Sequence, residues 1–325
     1  MTPVNPFDKL LLNAAITTIL PVFFLLSLGV GLRFFHWLSE GTVSQLNKVL
    51  YWFFVPALLF YKTSTLEWDF AGTFRLFCAL LAGSLATLVI SWGLSSSMTL
   101  NKKSITAFMQ ASFRGNLAFI GLPIVLMVVA HERTSSQDLE GQIYLLLAPG
   151  IIFYNLAAVL LIQYGVQVEN RNVRGLLLKE LSKNPLILSI LCGVGFGSMG
   201  FTVSEVVQTI LALMSQAVLP MALIGVGASL SLNRGLLLEP VGWVAGVMKV
   251  GVNPFCGYLA AKAIGLSDEE TRMLVILMAA PTATSAFILS GQLGSDVRLT
   301  AKVILTSVLL SLVVYPLILS LTNPL

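Results

Sequence analysis

Charge is what this sequence has least of. Of 325 residues only 10% are Asp, Glu, Lys or Arg, while 56% are hydrophobic. A soluble domain carries about 25% charged residues, so this chain cannot clothe a globular surface in water. Cysteine and histidine are nearly absent as well. Cys78, Cys192 and Cys256 fall in apolar stretches without metal-ligand spacing, and His36 and His131 stand alone. A zinc site, a disulfide framework and a nucleophile–histidine pair are excluded, and an enzyme with them. Acids are missing from the apolar stretches: all 15 Asp and Glu fall between them or at their ends, Glu239 coming closest. A cation cavity or a carboxylate proton relay would want a buried acid. No metal and no cofactor are therefore expected, and sodium or proton coupling has no residue to mark it.

What is there in quantity is hydrocarbon. Mean hydropathy is +0.89, and apolar runs long enough to cross a core about 30 Å thick recur throughout. Turn residues and charges divide the chain into ten expected spans: Leu11–Phe34, Val43–Tyr61, Phe70–Met98, Ser104–Ala130, Gln142–Gly165, Leu181–Phe201, Val206–Leu232, Leu238–Ile264, Arg272–Leu293 and Ala301–Leu321. The segment Met1–Leu20 lacks a basic n-region and a clear cleavage site, and its apolar run continues past Pro21 to Gly31. It reads as a retained first span. The fold class is thus an all-α integral membrane protein. The sequence pI near 9.0 reflects loop lysines and arginines at a membrane surface rather than a nucleic-acid partner.

The basic residues set an orientation. Loops after the odd-numbered spans, with the nearby span ends, hold eleven lysines and arginines, among them Arg33, Lys48, Lys102, Lys103 and the cluster Arg171, Arg174 and Lys179; the opposite side holds six. The positive-inside rule then places both termini on the non-cytoplasmic side of a bacterial inner membrane. Two basic residues, Arg114 and Lys249, remain inside spans.

The halves echo each other. Pro21 and Pro185 lie 164 apart, as do Pro56 and Pro220, and Ala118-Phe119-Ile120 matches Ala286-Phe287-Ile288 at an offset of 168. Five spans per half force opposite insertion, the plan of inverted-repeat transporters. The expected division is a first five-helix repeat over residues 1–165, a short basic cytoplasmic linker over 166–180 and a second repeat over 181–325.

Spans 4 and 9 are both interrupted. The first carries Arg114-Gly115-Asn116 ahead of Gly121-Leu122-Pro123, the second Pro281-Thr282-Ala283-Thr284-Ser285. Glycine and proline there leave backbone groups without intrahelical partners, tolerable only against protein, water or ligand. Matched broken spans point to a transporter's binding site. Arg114 is the sharpest residue, because a mid-span arginine costs about 2.5–3.5 kcal/mol on insertion scales. Its alternative is to snorkel to the headgroups, since Ser104 is near. Lys249, followed by Asn253 and Pro254, marks a second polar spot, for a ligand or for structure alone. Two buried positives and no buried negative suit an anion, helped by the positive ends of half-helices. Gly115, Asn116, Pro281, Thr282, Thr284 and Ser285 complete the candidate substrate site, with Asn155 a lesser candidate that could equally make an interhelical hydrogen bond. Gly195-Phe196-Gly197-Ser198-Met199-Gly200 fits a dinucleotide fingerprint in letters only; it ends a span, with no strand before it.

The stretches Gly115–Pro123, Asn184-Pro185-Leu186-Ile187-Leu188 and Ala280–Phe287, in this order and spacing over essentially the whole chain, resemble the auxin efflux carrier family, whose bacterial members include malonate-permease-like proteins. The resemblance implies an architecture similar to the bile acid–sodium symporters: ten helices in two inverted repeats, with helices 4 and 9 broken and crossing near Arg114–Asn116 and Pro281–Ser285. It implies an elevator movement, and carboxylates as substrates, auxin in plants and dicarboxylates in bacteria. This chain has the short form of the central loop. Two departures stand out. Phe113, not Pro123, matches Pro281 by the repeat offset, which leaves the unwinding point of helix 4 open. The acidic sodium ligands of the symporters have no counterpart in the spans.

The expectation is a secondary transporter for a small organic anion, a mono- or dicarboxylate, working in the lipid bilayer, with a homodimer left open. An anion channel, or a receptor that binds without transport, is the alternative.

Overall fold

The computed structural model describes residues 6–132, 137–166, 175, 182–230 and 239–322; among them every regular element is helical, apart from one isolated antiparallel bridge. Twelve helices follow in order: α1 (Pro6–Phe34), α2 (Glu40–Thr65), α3 (Phe70–Ser96), α4 (Lys102–Phe113), α5 (117–132), α6 (Gln137–Val166), α7 (Pro185–Ser198), α8 (Glu205–Ser229), α9 (Pro240–Ile264), α10 (Asp268–Met278), α11 (Ser285–Leu293) and α12 (Val297–Thr322). Six of them, α2, α3, α6, α8, α9 and α12, are long and apolar enough to cross a membrane. The helices α4 and α5 occupy the fourth apolar run in two pieces, and α10 and α11 occupy the ninth. Of the expected central link, Val166 and Gly175 are within the described residues and the rest, with Arg171, Arg174 and Lys179, is not.

Polar residues at the ends of the runs start the helices. Side chains of Asp69 and Asn101 accept from the amides of Gly72 and Ser104. Asn184 accepts from Leu186 and Ile187, with Pro185 supplying the first helical residue of α7. Ser267 and Glu270 form a reciprocal capping box at α10. Each such cap is worth about 1 kcal/mol. Gly265 at φ 80° ends α9 and Gly294 at φ 78° ends α11, the left-handed stop that glycine accepts without strain.

Three helices widen to a π turn, at Leu50–Phe54, Leu117–Gly121 and Met248–Val252. Each lies just ahead of a proline: Pro56, Pro123 and Pro254. Proline has no N–H for the carbonyl a turn behind it and its ring crowds that carbonyl, so the wider turn lets the helix continue. Pro123 therefore does not break its helix. Pro21 lies inside α1, whereas Pro185 opens α7.

Helix α1 packs on α8, and α2 packs on α7 and α8; α3, α9, α10, α4 and α12 pack mainly among themselves. Closest approaches occur at glycines, where a Cβ on Gly83 would lie 2.7 Å from the backbone of Gly257. Gly197 faces the Trp68 ring in the same way, so the glycine run at the end of α7 packs helices. Outward faces are apolar: Phe24, Phe74, Val89, Trp92 and Leu213 are each more than half exposed, a surface made for lipid. Two basic residues counted with the loops and nearby span ends for the orientation, Arg272 and Lys302, lie within helices. Arg272 is buried in α10, and Lys302 is buried in α12, where it ion-pairs with Glu239 ahead of α9. The ion pair with Glu239 lets Lys302 keep its charge while buried, which loop counting does not detect.

Candidate functional site

Helix α4 stops at Phe113 because Arg114, Gly115 and Asn116 leave the helical path; Arg114 has φ −79° and ψ 97°. Helix α10 stops at Met278 and α11 begins at Ser285. The two breaks meet. The amide of Asn116 donates to the Pro281 carbonyl at 2.8 Å and that of Ala283 to the Arg114 carbonyl at 3.0 Å, forming the antiparallel bridge of Gly115 with Thr282. The Thr282 hydroxyl donates to the Ala111 carbonyl of the last α4 turn at 2.7 Å, and the Thr282 amide donates to the Ser307 hydroxyl at 3.1 Å. The Asn116 side chain caps α5 by accepting from the Phe119 amide. Each break thus supplies the backbone partners the other lost, which is what the membrane interior demands. Gly115 suits the approach: a Cβ there would lie 3.2 Å from the Lys249 Nζ and 3.3 Å from the Ala280 carbonyl oxygen, a tight contact.

The crossing has two unlike sides. On one lies a cavity of about 1270 Å³. Its floor is formed by the start of α5 (Leu117, Ala118, Phe119), the start of α11 (Thr284, Ser285) and the link Arg114-Gly115-Asn116. Its walls come from α1, α2 and α8 on one flank (Val30, Tyr51, Val226) and from α6 and α11 on the other (Asn155, Leu289). Arg33, Glu40 and Lys48 stand at the rim, Glu40 with a side chain 92% exposed. The volume exceeds the roughly 300–1,000 Å³ of an ordinary small-molecule pocket, so this is a vestibule leading to a floor.

Arg114 is buried on that floor, 4% exposed. Its Nη2 donates to Asn155 Oδ1 at 2.5 Å and to Ser285 Oγ at 3.0 Å. It does not snorkel; side chains from two separate helices, α6 and α11, hold it. Asn116 is buried beside it, and its Nδ2 has no hydrogen-bond partner among the described residues. A buried donor at a cavity floor without a protein acceptor is an anomaly that a ligand acceptor would remove. Both half-helix N-termini, α5 and α11, lie on this floor, adding positive partial charge. No carboxylate lines it; Glu40 at the rim, 3.5 Å from Arg33, is the one acid among the lining residues.

On the other side of the crossing lie Lys249 and Asn253, both fully buried and neither among the cavity's lining residues. Lys249 Nζ donates to the Met278 carbonyl at 2.6 Å, and Asn253 Nδ2 donates to the same oxygen at 3.1 Å. The structure thus brings together Arg114, Gly115, Asn116, Asn155, Thr284 and Ser285. It sets Lys249, Asn253, Pro281 and Thr282 behind them, away from the cavity, because they face the C-terminal ends of the half-helices. The sequence reading overlooked the apolar and aromatic part of the floor and walls. Tyr51 and Phe119 stack at 6.3 Å between centroids, with Trp52, Ile151 and Tyr154 also facing the cavity. Aromatic residues inside apolar runs carry no mark that separates lining from core.

A lipid-facing helical body whose two broken helices cross beneath a polar-floored vestibule is by class that of a membrane transport protein. The chain belongs to the membrane transport protein family, whose model matches residues 14–319. It is 23% identical over 312 residues to an uncharacterized transporter of Methanocaldococcus jannaschii, covering 91% of this chain and 95% of that one. An uncharacterized transporter of Methanothermobacter thermautotrophicus is 26% identical over 312 residues, 92% of this chain and 96% of its own. A proposed malonate transporter of Rhizobium meliloti is 30% identical over 135 residues, 40% of this chain and 42% of its own. The protein is an integral membrane transporter.

Proposed function

We propose that this protein is a secondary carrier for a small organic anion with at least one carboxylate, a mono- or dicarboxylate. The observation that carries it is Arg114: a buried guanidinium at the floor of a vestibule, between two half-helix N-termini, with no acid on the floor. Arg114 binds the carboxylate; Asn116 Nδ2, Thr284 and Ser285 orient it by neutral hydrogen bonds. Asn155 holds the guanidinium in place. The proposed malonate transporter among the relatives agrees with this substrate class.

In this reading the twelve helices make ten spans in two inverted five-helix repeats, residues 1–165 and 181–325, with both termini non-cytoplasmic. The vestibule, rimmed by Arg33 and Lys48, then opens to the cytoplasm. Because it lies between the α1–α2–α8 flank and the crossing, a rigid movement of one group past the other would carry the floor across the membrane, as in an elevator. Purified protein in proteoliposomes should take up labelled malonate or a monocarboxylate with saturation and counterflow. Unitary currents without counterflow would make it a channel, and binding without flux a receptor.

Side-chain contacts join the far ends of the helices. Lys62 near the end of α2 pairs with Glu140 in α6 at 2.8 Å, and Gln142 donates to Asp69 at 2.8 Å. Opening toward the opposite side has to separate Lys62 from Glu140. A partly exposed pair of this kind is worth up to about 1 kcal/mol, or about a fivefold change in an equilibrium. Lys62→Ala should therefore raise amide exchange over Leu139–Leu146 by up to about that factor. Unchanged protection would remove the pair from the gating account.

A further inference from the structure

The floor of the vestibule meets the α1–α2–α8 flank through α5, whose first turn rests on α8 and whose body rests on α1. Where α5 faces α2 the contact is aromatic. The Tyr51 ring stacks on the Phe119 ring, with centroids 6.3 Å apart and planes inclined by 26°, within the range in which aromatic pairs attract. Trp52, next in the chain, meets the Tyr51 ring edge-on at 5.7 Å. Both stacked rings are half-buried and both line the vestibule. Each sits in a π turn, Leu50–Phe54 for one and Leu117–Gly121 for the other, a widening frequent at functional sites. Phe119 is also tied to the anion floor. Its amide donates to Asn116 Oδ1 at 3.1 Å, while Nδ2 of that side chain has no partner among the described residues. One amide group therefore places the Phe119 ring with its oxygen and offers its nitrogen to the ligand position.

Tyr51 belongs to the flank and Phe119 to the crossing, so a displacement of the floor past the flank has to part the two rings. It has to part Lys62 and Glu140 as well, eleven residues further along α2, or about 16 Å at 1.5 Å per residue. Helix α2 is thus joined to the rest of the protein at two levels, by a partly exposed ion pair at the far end and by stacked rings beside the floor. We propose that Tyr51 and Phe119 form a latch that holds the floor against the flank in the vestibule-open arrangement and is released when the floor moves. The movement itself rests on the carrier reading, but the latch has a readout of its own in protein without substrate. Its placement beside Asn116 puts the contact that resists movement next to the residue that meets the anion.

The test is amide exchange of the purified protein, with no substrate, read at the far end over Leu139–Leu146 of α6. Releasing the latch raises the population of the arrangement in which the far ends separate, and exchange there rises in proportion. Tyr51→Leu and Phe119→Leu keep apolar bulk and lose one ring each. Either should raise exchange over Leu139–Leu146 by about two- to tenfold, the worth of an aromatic pair beyond its buried area. The double variant should exceed neither single one, because both remove the same contact. Tyr51→Phe, which keeps the stack, should stay within about twofold of the wild type. Lys62→Ala combined with Phe119→Leu should multiply the two separate effects, as independent joints do. Unchanged exchange in the leucine variants overturns the latch, and so do additive effects in the double variant. An equal rise over Ala79–Ser84, buried in α3, also overturns it, since that marks general loosening. Should one leucine variant not fold, the other still decides. A wild type that moves no carboxylate in proteoliposomes ends the carrier reading, while the exchange result still marks a joint between two arrangements.

Discussion

Arg114→Ala protein should insert and fold yet lose carboxylate uptake by a factor of at least about 30. Truncating one partner of a buried, charge-assisted contact costs about 2–5 kcal/mol, and each 1.4 kcal/mol is tenfold. Folding should survive because the guanidinium's partners, Asn155 and Ser285, both line the vestibule and gain water when it leaves. The bridge that holds the crossing together uses only the backbone of residue 114, through the amide of Ala283, so the side chain can go without unpairing the breaks. Arg114→Lys should be intermediate: the charge stays, but the planar fork that holds Asn155 and Ser285 while facing a carboxylate is lost. Initial rates over a range of substrate concentrations decide what was removed. A raised KM at constant maximal rate marks a binding contact, whereas a fall in rate alone marks a group needed in the moving step. Wild-type uptake by a correctly inserted Arg114→Ala protein would end the reading of this floor as an anion site.

The helices could be read from the sequence because hydrocarbon leaves few options: a run of apolar residues between charges and turns must be helical to satisfy its own backbone. The breaks could be read for the same reason, since Arg114-Gly115-Asn116 and Pro281 are residues a membrane helix does not keep idly. Which side of the crossing a residue faces could not. Lys249 and Arg114 look alike in sequence, each a lone cation beside small and polar residues. Yet one faces two helix N-termini and a vestibule, the other two C-termini and packed protein. That distinction arises only when two segments over 160 residues apart are laid against each other. The π turns ahead of Pro56, Pro123 and Pro254 were equally hidden, because proline alone does not tell a widened turn from an unwound one. Asn155 was visible as a polar residue, but its partner was not.

The second large effect should come from a residue far from the crossing. Helices α1 and α8 form part of the flank against which the vestibule is built, and they touch through glycine. A Cβ placed on Gly29 would lie 2.2 Å from the Ile224 carbonyl oxygen, and one on Gly227 would lie 2.1 Å from that of Leu26. Both obstacles are backbone atoms, which cannot rotate aside, so even alanine must push the helices apart. Membrane helices gain much of their association from such close approach at small residues, and overpacking costs about 1–3 kcal/mol where neighbours can yield. Gly29→Ala should therefore lower the melting temperature by several degrees, and Gly29→Leu should prevent recovery of folded protein. Gly31, two residues on in the same helix, is the internal control, since a Cβ there meets nothing within 4 Å. Gly31→Ala should be neutral or slightly stabilising, because alanine has the better helix propensity by about 1 kcal/mol. Equal melting temperatures for the two alanine variants would mean that α1 and α8 are not packed through Gly29. A loss confined to Gly29→Ala, accompanied by slower uptake from a normal Arg114 floor, would tie transport to the flank as well as to the site.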